Sequence, residues 1–136
     1  MRLPGEIRRT QAARKVTHTC SILVVDDDEN LRRTLVQILR KEGYETDWAE
    51  NAERSLQLLH DKPYTLVILD HKLPDMNGLT LLTAVRKMYP KLRVLILTGA
   101  GTDELRQEAA NRGAWSYLRK PVDPETILDL IDSICA

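Results

Sequence analysis

The most restrictive feature of this chain is an alternation. Short, unbroken apolar runs rich in β-branched residues are each followed by a longer stretch whose apolar residues recur at helical spacing. The clearest runs are Ile22-Leu23-Val24-Val25, Leu66-Val67-Ile68-Leu69 and Val94-Leu95-Ile96-Leu97. A strand with water on one face alternates apolar and polar residues, so unbroken runs predict strands buried on both faces. Leu31, Leu35, Ile38 and Leu39 mark one apolar helix face, as do Leu81, Val85 and Met88, and later Ile127, Leu130, Ile131 and Ile134. Tyr44 to Ala49 and Ser116 to Leu118 read as shorter strands nearer the sheet edges. Gly43 and Gly113 stand where helices should stop, and Asp123-Pro124 is an N-cap followed by a first-position proline. Strict alternation of strand and helix predicts an α/β domain with a parallel sheet, helices on both faces and right-handed crossovers. Ligands of such open sheets bind beyond the carboxyl ends of the strands.

A chain of 136 residues accommodates one domain with a sizeable core and no second folded unit. Basic and acidic residues both total 20, so no global charge points to nucleic acid or an anionic membrane. The distribution is uneven: Arg2, Arg8, Arg9, Arg14 and Lys15 face only Glu6 in the first 20 residues, leaving the remainder acidic. Residues 1 to 19 show no sustained period and are expected to form a flexible basic tail before a domain spanning 20 to 136. No stretch is long and apolar enough to span a bilayer, and the amino terminus lacks the apolar centre of a secretory signal. A soluble, cytoplasmic protein is the expectation. Cys20 and Cys135 fit neither a disulfide framework nor a zinc site and read as reduced packing residues, with a redox link between them the alternative.

Polar residues end the apolar runs in a consistent way. Asp26 and Asp27 follow the first strand, Asp70 the third, Thr98 the fourth and Lys120 the fifth, so all five gather at one rim. Carboxylates converging in partial burial repel one another and acquire raised pKa values unless a cation sits among them. Oxygen-only ligands select a hard ion, Mg²⁺ first and Mn²⁺ as the substitute. Such an ion would neutralise an incoming phosphoryl group, Lys120 and Thr98 would hold its other oxygens, and Asp70 would be the attacking carboxylate. Each residue has a bland reading by itself. Asp26-Asp27-Asp28 resembles a helix-capping run, with Asp28 read as a cap, and Leu73-Pro74-Asp75 and Asn77-Gly78 are turn chemistry. The conjunction of five rim residues outweighs those readings.

Val-Val-Asp-Asp-Asp, Leu-Asp-His-Lys-Leu-Pro-Asp-Met-Asn-Gly, Leu-Thr-Gly-Ala and Tyr-Leu-Arg-Lys-Pro occur in this order, and the chain from residue 21 onward resembles the receiver domain of two-component response regulators. The resemblance implies a flavodoxin-like, doubly wound (βα)5 fold with strand order 2-1-3-4-5 and a cis peptide at Lys120-Pro121. It also implies that Asp70 is the phosphoacceptor. Asp27 and Asp70 would bind the metal directly, Asp26 through water, and Lys72 through its backbone carbonyl, while Lys120 would pair with the acceptor. Thr98 and the aromatic Tyr117 would form the switch. The readout surface would be the fourth helix, fifth strand and fifth helix, where Arg106, Arg112 and Arg119 are candidates for contact with an output domain or downstream protein. The phosphodonor would be a sensor histidine kinase or a histidine phosphotransfer protein, met near the first helix, where Arg32 and Arg33 are candidates. The protein would catalyse only its own phosphorylation and dephosphorylation, as a monomer or a weak phosphorylation-dependent dimer, without nucleic acid or membrane as partner.

Lys72 and Ala100 stand at positions where the family varies with phosphoryl lifetime, and Lys72 is expected to slow attack by water. His71 is expected to pack half-exposed, not to ligate metal, because a lone imidazole is poor ligand spacing. His18 and His60 read as solvated, and Trp48 and Trp115 as partly packed. A phosphatase of the haloacid dehalogenase type also uses a strand-terminal aspartate but expects a second Asp where Lys72 stands. A flavin-binding flavodoxin-like protein needs backbone donors where Asp26-Asp27-Asp28 lies. A phosphorylation-independent interaction module is the remaining alternative.

Overall fold

The computed structural model describes residues 20–135; the predicted basic tail, residues 1 to 19 with His18, lies outside the described residues. Ten elements alternate: β1 (Ser21–Val25), α1 (Glu29–Lys41), β2 (Glu45–Ala49), α2 (Ala52–Asp61), β3 (Leu66–Asp70), α3 (Gly78–Met88), β4 (Arg93–Thr98), α4 (Asp103–Asn111), β5 (Ser116–Arg119) and α5 (Pro124–Cys135). The strands form one sheet in the order β2-β1-β3-β4-β5, every pairing parallel. This is the predicted flavodoxin-like (βα)5 architecture, and Lys120-Pro121 is the predicted cis peptide.

The unbroken apolar runs work as expected, because alternate residues of each strand face opposite layers. Leu23, Val25, Val67, Leu69, Val94 and Ile96 pack with Ala52, Leu59, Leu82, Val85 and Ala109, so α2, α3 and α4 cover one face. Ile22, Val24, Leu66, Ile68, Leu95 and Leu97 pack with Leu35, Val36, Leu39, Ile127 and Ile131, so α1 and α5 cover the other. Helix termini follow the punctuation. Gly43 and Gly113 adopt φ of 92° and 93°, the left-handed region where a side chain is strained. Asp28, Asn51, Asn77 and Thr102 cap α1 to α4 with their side chains. The Asp123 carboxylate accepts the Glu125 N–H at 3.0 Å.

Three expectations are corrected. Cys20 and Cys135 are not reduced packing residues: they form a disulfide with Cα atoms 5.8 Å apart. Helices return antiparallel to the strands, so the end of α5 lies at the same end of the sheet as the start of β1. His71 is buried instead of half-exposed, since it follows the β3 strand directly and its N–H still donates to the Leu97 carbonyl. Arg32, a candidate surface residue, is turned inward, while Arg33 is exposed. The remaining packing expectations hold: His60 is exposed, Trp115 is half-buried, and Trp48 keeps 43% of its surface exposed.

Candidate functional site

The rim at the carboxyl ends of β1, β3, β4 and β5 brings the predicted residues together, and each arrives there because its own strand ends there. Asp26 directly follows β1, and its N–H still donates to the Ala49 carbonyl of β2. Asp70 is the last residue of β3 and Thr98 the last of β4. The Lys120 N–H donates to the Thr98 carbonyl at 2.7 Å, so the lysine leaves β5 already fastened to β4.

Carboxylate oxygens of Asp26, Asp27 and Asp70 lie within 4.8 Å of one another. Asp26 and Asp70 are buried and Asp27 is exposed, which gives the cluster one open side. The Lys120 ammonium donates to Asp26 Oδ2 at 3.1 Å and to Asp70 Oδ1 at 3.2 Å. Burial, and after it the neighbouring Asp26 charge, holds the Asp70 carboxyl above the usual aspartate range despite Lys120 and a hydrogen bond from the Lys72 backbone. Burial also opposes the Lys120 ammonium, but its hydrogen bond and attraction to Asp26, together with Asp70, outweigh this and hold its pKa above the ordinary lysine value. One cation thus bridges two of the three carboxylates. A negatively biased, all-oxygen donor set with an open side fits a hard divalent ion.

Thr98 is buried and its hydroxyl accepts the Ala100 N–H at 3.1 Å. Tyr117 pairs with Ile96 across β4 and β5. Ile96 and Tyr117 both pack on the face covered by α2, α3 and α4, and Thr98, two residues beyond Ile96, points to that same face. The predicted pair is therefore adjacent. The Tyr117 hydroxyl is buried and has no hydrogen-bond partner among the described residues, and the Arg106 guanidinium stands 5.7 Å from its ring. Arg106, Arg112 and Arg119 are all exposed. Arg112 is nevertheless committed to α3, donating to the Leu79 carbonyl and the Thr83 hydroxyl. Arg119 lies against Gly101.

His71 is not among the described residues whose ligand atoms cluster with these carboxylates; its Nδ1 is buried without a partner among the described residues, and burial followed by Lys72 lowers its pKa. Sequence reasoning missed several supporting residues. Arg32 donates to the Asp26 carbonyl at 3.1 Å while its guanidinium stacks 4.4 Å from the Trp48 ring centre, so it braces the backbone of a rim carboxylate. A Cβ on Gly78 would sit 2.5 Å from the Asp70 carbonyl oxygen and 2.8 Å from the His71 Cα, which explains glycine at the start of α3. The Gly78 N–H in turn donates to the His71 carbonyl. Asn-Gly is a legible turn signal, but its contact with Asp70 is not. Asp75 accepts the Ala52 and Glu53 N–H groups of α2, both at 2.9 Å, a role no local pattern announces.

Comparison with known proteins agrees with this geometry. The family model described as the response regulator receiver domain matches residues 22–132. A putative NtrX-like response regulator of Rickettsia bellii is 36% identical over 116 residues, covering 84% of this chain and 24% of that protein. The chain thus spans about a quarter of that relative's length. The crystal structure of a CheY-like response regulator receiver domain protein from Methanospirillum hungatei JF-1 superposes with TM-score 0.81 at 36% identity, covering 84% of this chain and 91% of that one. The crystal structure of a Burkholderia pseudomallei response regulator with a phosphorylated aspartic acid, calcium ion and citrate has TM-score 0.76 at 32% identity, covering 80% and 64%. No described helix is long and apolar enough to cross a membrane. Motif order, sheet order, rim chemistry and these similarities lead to one conclusion: the chain belongs to the response regulator receiver domain family, a family of signalling domains.

Proposed function

We propose that this receiver takes a phosphoryl group from a phosphohistidine onto Asp70. The observation that carries the reading is the Lys120 ammonium shared between Asp26 and Asp70 beside the exposed Asp27. It leaves a strand-terminal carboxylate partly neutralised and open to one side. Asp26, Asp27, Asp70 and the backbone carbonyl of Lys72 would hold Mg²⁺, or Mn²⁺ in its place. When bound, the ion supplies positive charge to the equatorial phosphoryl oxygens and offsets carboxylate repulsion. An Asp70 carboxylate oxygen attacks phosphorus, the bond from phosphorus to the donor imidazole nitrogen breaks, and the imidazole leaves with a proton. Lys120 moves its hydrogen bond to a phosphoryl oxygen, and Thr98 exchanges its contact with the Ala100 N–H for a second phosphoryl oxygen. Tyr117, on the same face, follows Thr98 and alters the α4-β5-α5 surface that a partner or output domain reads. Lys72, exposed two residues beyond the acceptor, would retard water attack and lengthen the phosphorylated state. The domain would span residues 20 to 136 after a basic tail. It would act in the cytoplasm with a sensor kinase or phosphotransfer protein, as a monomer or a weak phosphorylation-dependent dimer.

Intact-mass measurement after incubation with Mg²⁺ and acetyl phosphate tests this. One labile phosphoryl group is expected on the wild type with Mg²⁺ and none on Asp70→Ala or without Mg²⁺. A wild type that binds Mg²⁺ yet acquires no phosphoryl group would instead mark a phosphorylation-independent interaction module.

A further inference from the structure

The loop after β3 carries the Lys72 carbonyl and then turns back to α3. It is held at its two ends by its own backbone: Lys72 and Asn77 pair in an antiparallel bridge, and the Gly78 N–H donates to the His71 carbonyl at 2.6 Å. Its apex would otherwise project into water, because Pro74 and Asp75 are exposed. Asp75 instead reaches α2. Its Oδ1 accepts the Ala52 N–H and its Oδ2 the Glu53 N–H, each at 2.9 Å.

A helix begins with N–H groups that have no partner in the preceding turn. In α2 the division of labour is complete: Asp75 takes the first two, the Asn51 side chain takes Arg54 at 2.8 Å, and the Asn51 carbonyl takes Ser55. The two backbone N–H groups hold the Asp75 carboxyl below the usual aspartate range, as expected for an anion at a helix amino terminus. The bond spans 23 residues of chain, so it is not a local cap. It joins the acceptor loop to an element that contributes none of the five rim residues.

We infer that Asp75 is a positioning residue for the cation site: by docking the β3–α3 loop on the amino terminus of α2, it presents the Lys72 carbonyl beside Asp70. The inference rests on the receiver reading and adds to it a residue outside the ligand set. A loop ligand that must be ordered on binding loses affinity to the entropy of ordering, and a tether fixed in advance removes that loss.

The test is Mg²⁺ affinity of the full chain by calorimetric titration, with thermal melting of each protein alongside. Asp75→Ala is expected to weaken Mg²⁺ by about tenfold, the low end of what removing an outer support of a metal ligand costs. Asp75→Asn, which keeps one acceptor oxygen, is expected to lie between it and the wild type. Asn51→Ala frays the same helix terminus without releasing the loop, and is expected to lower the melting temperature while leaving Mg²⁺ affinity near that of the wild type. Amide exchange at residues 71 to 77 should accelerate in Asp75→Ala only. Unchanged Mg²⁺ affinity in Asp75→Ala, or an equal loss in Asn51→Ala, overturns the inference and leaves the receiver reading standing. A wild type that binds no Mg²⁺ overturns both.

Discussion

At the amino ends of the strands, the disulfide between Cys20 and Cys135 closes the molecule, and the buried Tyr44 hydroxyl donates to Asp132 of α5. At the carboxyl ends, three carboxylates lie close together and one lysine bridges two of them. Among the described residues the buried Tyr117 hydroxyl and His71 Nδ1 lack a partner there, and the Thr98 hydroxyl accepts a nearby N–H. The base is built from contacts that join distant parts of the chain, although the Ser21 Oγ at the start of β1 is also buried without a hydrogen-bond partner among the described residues. The rim is built from groups whose mutual repulsion and incomplete pairing leave them able to accept something from outside. Stability and function are thus expected to separate along the strand axis, as they do when strain is confined to a site and offset elsewhere.

The largest effect is expected from cutting the base. Cys135→Ser opens a loop with a sequence separation of 115. Chain entropy for a loop of that length predicts a loss of about 5 kcal/mol in urea unfolding, with dithiothreitol producing the same loss in the wild type. Labelling of Asp70 by acetyl phosphate at a temperature where the variant stays folded should be unchanged. A variant that unfolds as little as a surface substitution, or that is folded yet unlabelled, would end the division between base and rim.

A smaller effect is expected where the two demands meet. Gly78→Ala places a methyl group 2.5 Å from the Asp70 carbonyl oxygen, so the backbone of β3 or α3 must move. Overpacking of this kind costs about 1 to 3 kcal/mol. Because the displaced carbonyl belongs to Asp70, labelling should also slow. Loss of stability with full labelling would show that the start of α3 belongs energetically to the base.

The smallest effect has the opposite sign. Tyr117→Phe removes a buried hydroxyl that has no partner among the described residues. Leaving such a group unmade costs about 1 kcal/mol or more, so the variant should unfold at slightly higher urea. The same change removes the polar end of the proposed switch aromatic, and binding of an output partner should respond less to phosphorylation. A loss of stability would mean that the hydroxyl is satisfied and that the rim is not incompletely paired at this point.

Most of the fold could be read from the chain because its signals are local. Ile22 to Val25, Leu66 to Leu69 and Val94 to Leu97 each declare a doubly buried strand. Gly43, Gly113 and Asp123-Pro124 declare their helix ends without reference to anything remote. The rim was legible for a related reason: Asp26, Asp70, Thr98 and Lys120 each sit at or just past the end of a strand, and a parallel sheet brings every such end to one side. Strand β2 shows the limit of this reasoning. Its residue pattern predicts a start at Tyr44, but the strand starts at Glu45, and Tyr44 enters the core on the α1 and α5 side, where its hydroxyl meets α5.

The sequence by itself determined the element order, the two-sided core and the set of residues gathered at the rim, since periodicity and strand ends are properties of neighbouring residues. It took the packed fold to bring Cys20 to Cys135, to turn Arg32 inward to brace Asp26, to dock Asp75 on α2 and to carry Tyr44 to Asp132. These contacts depend on how far each helix is rotated and how it returns across the sheet. Those variables are set by packing the whole core at once, and no single segment of the chain encodes them.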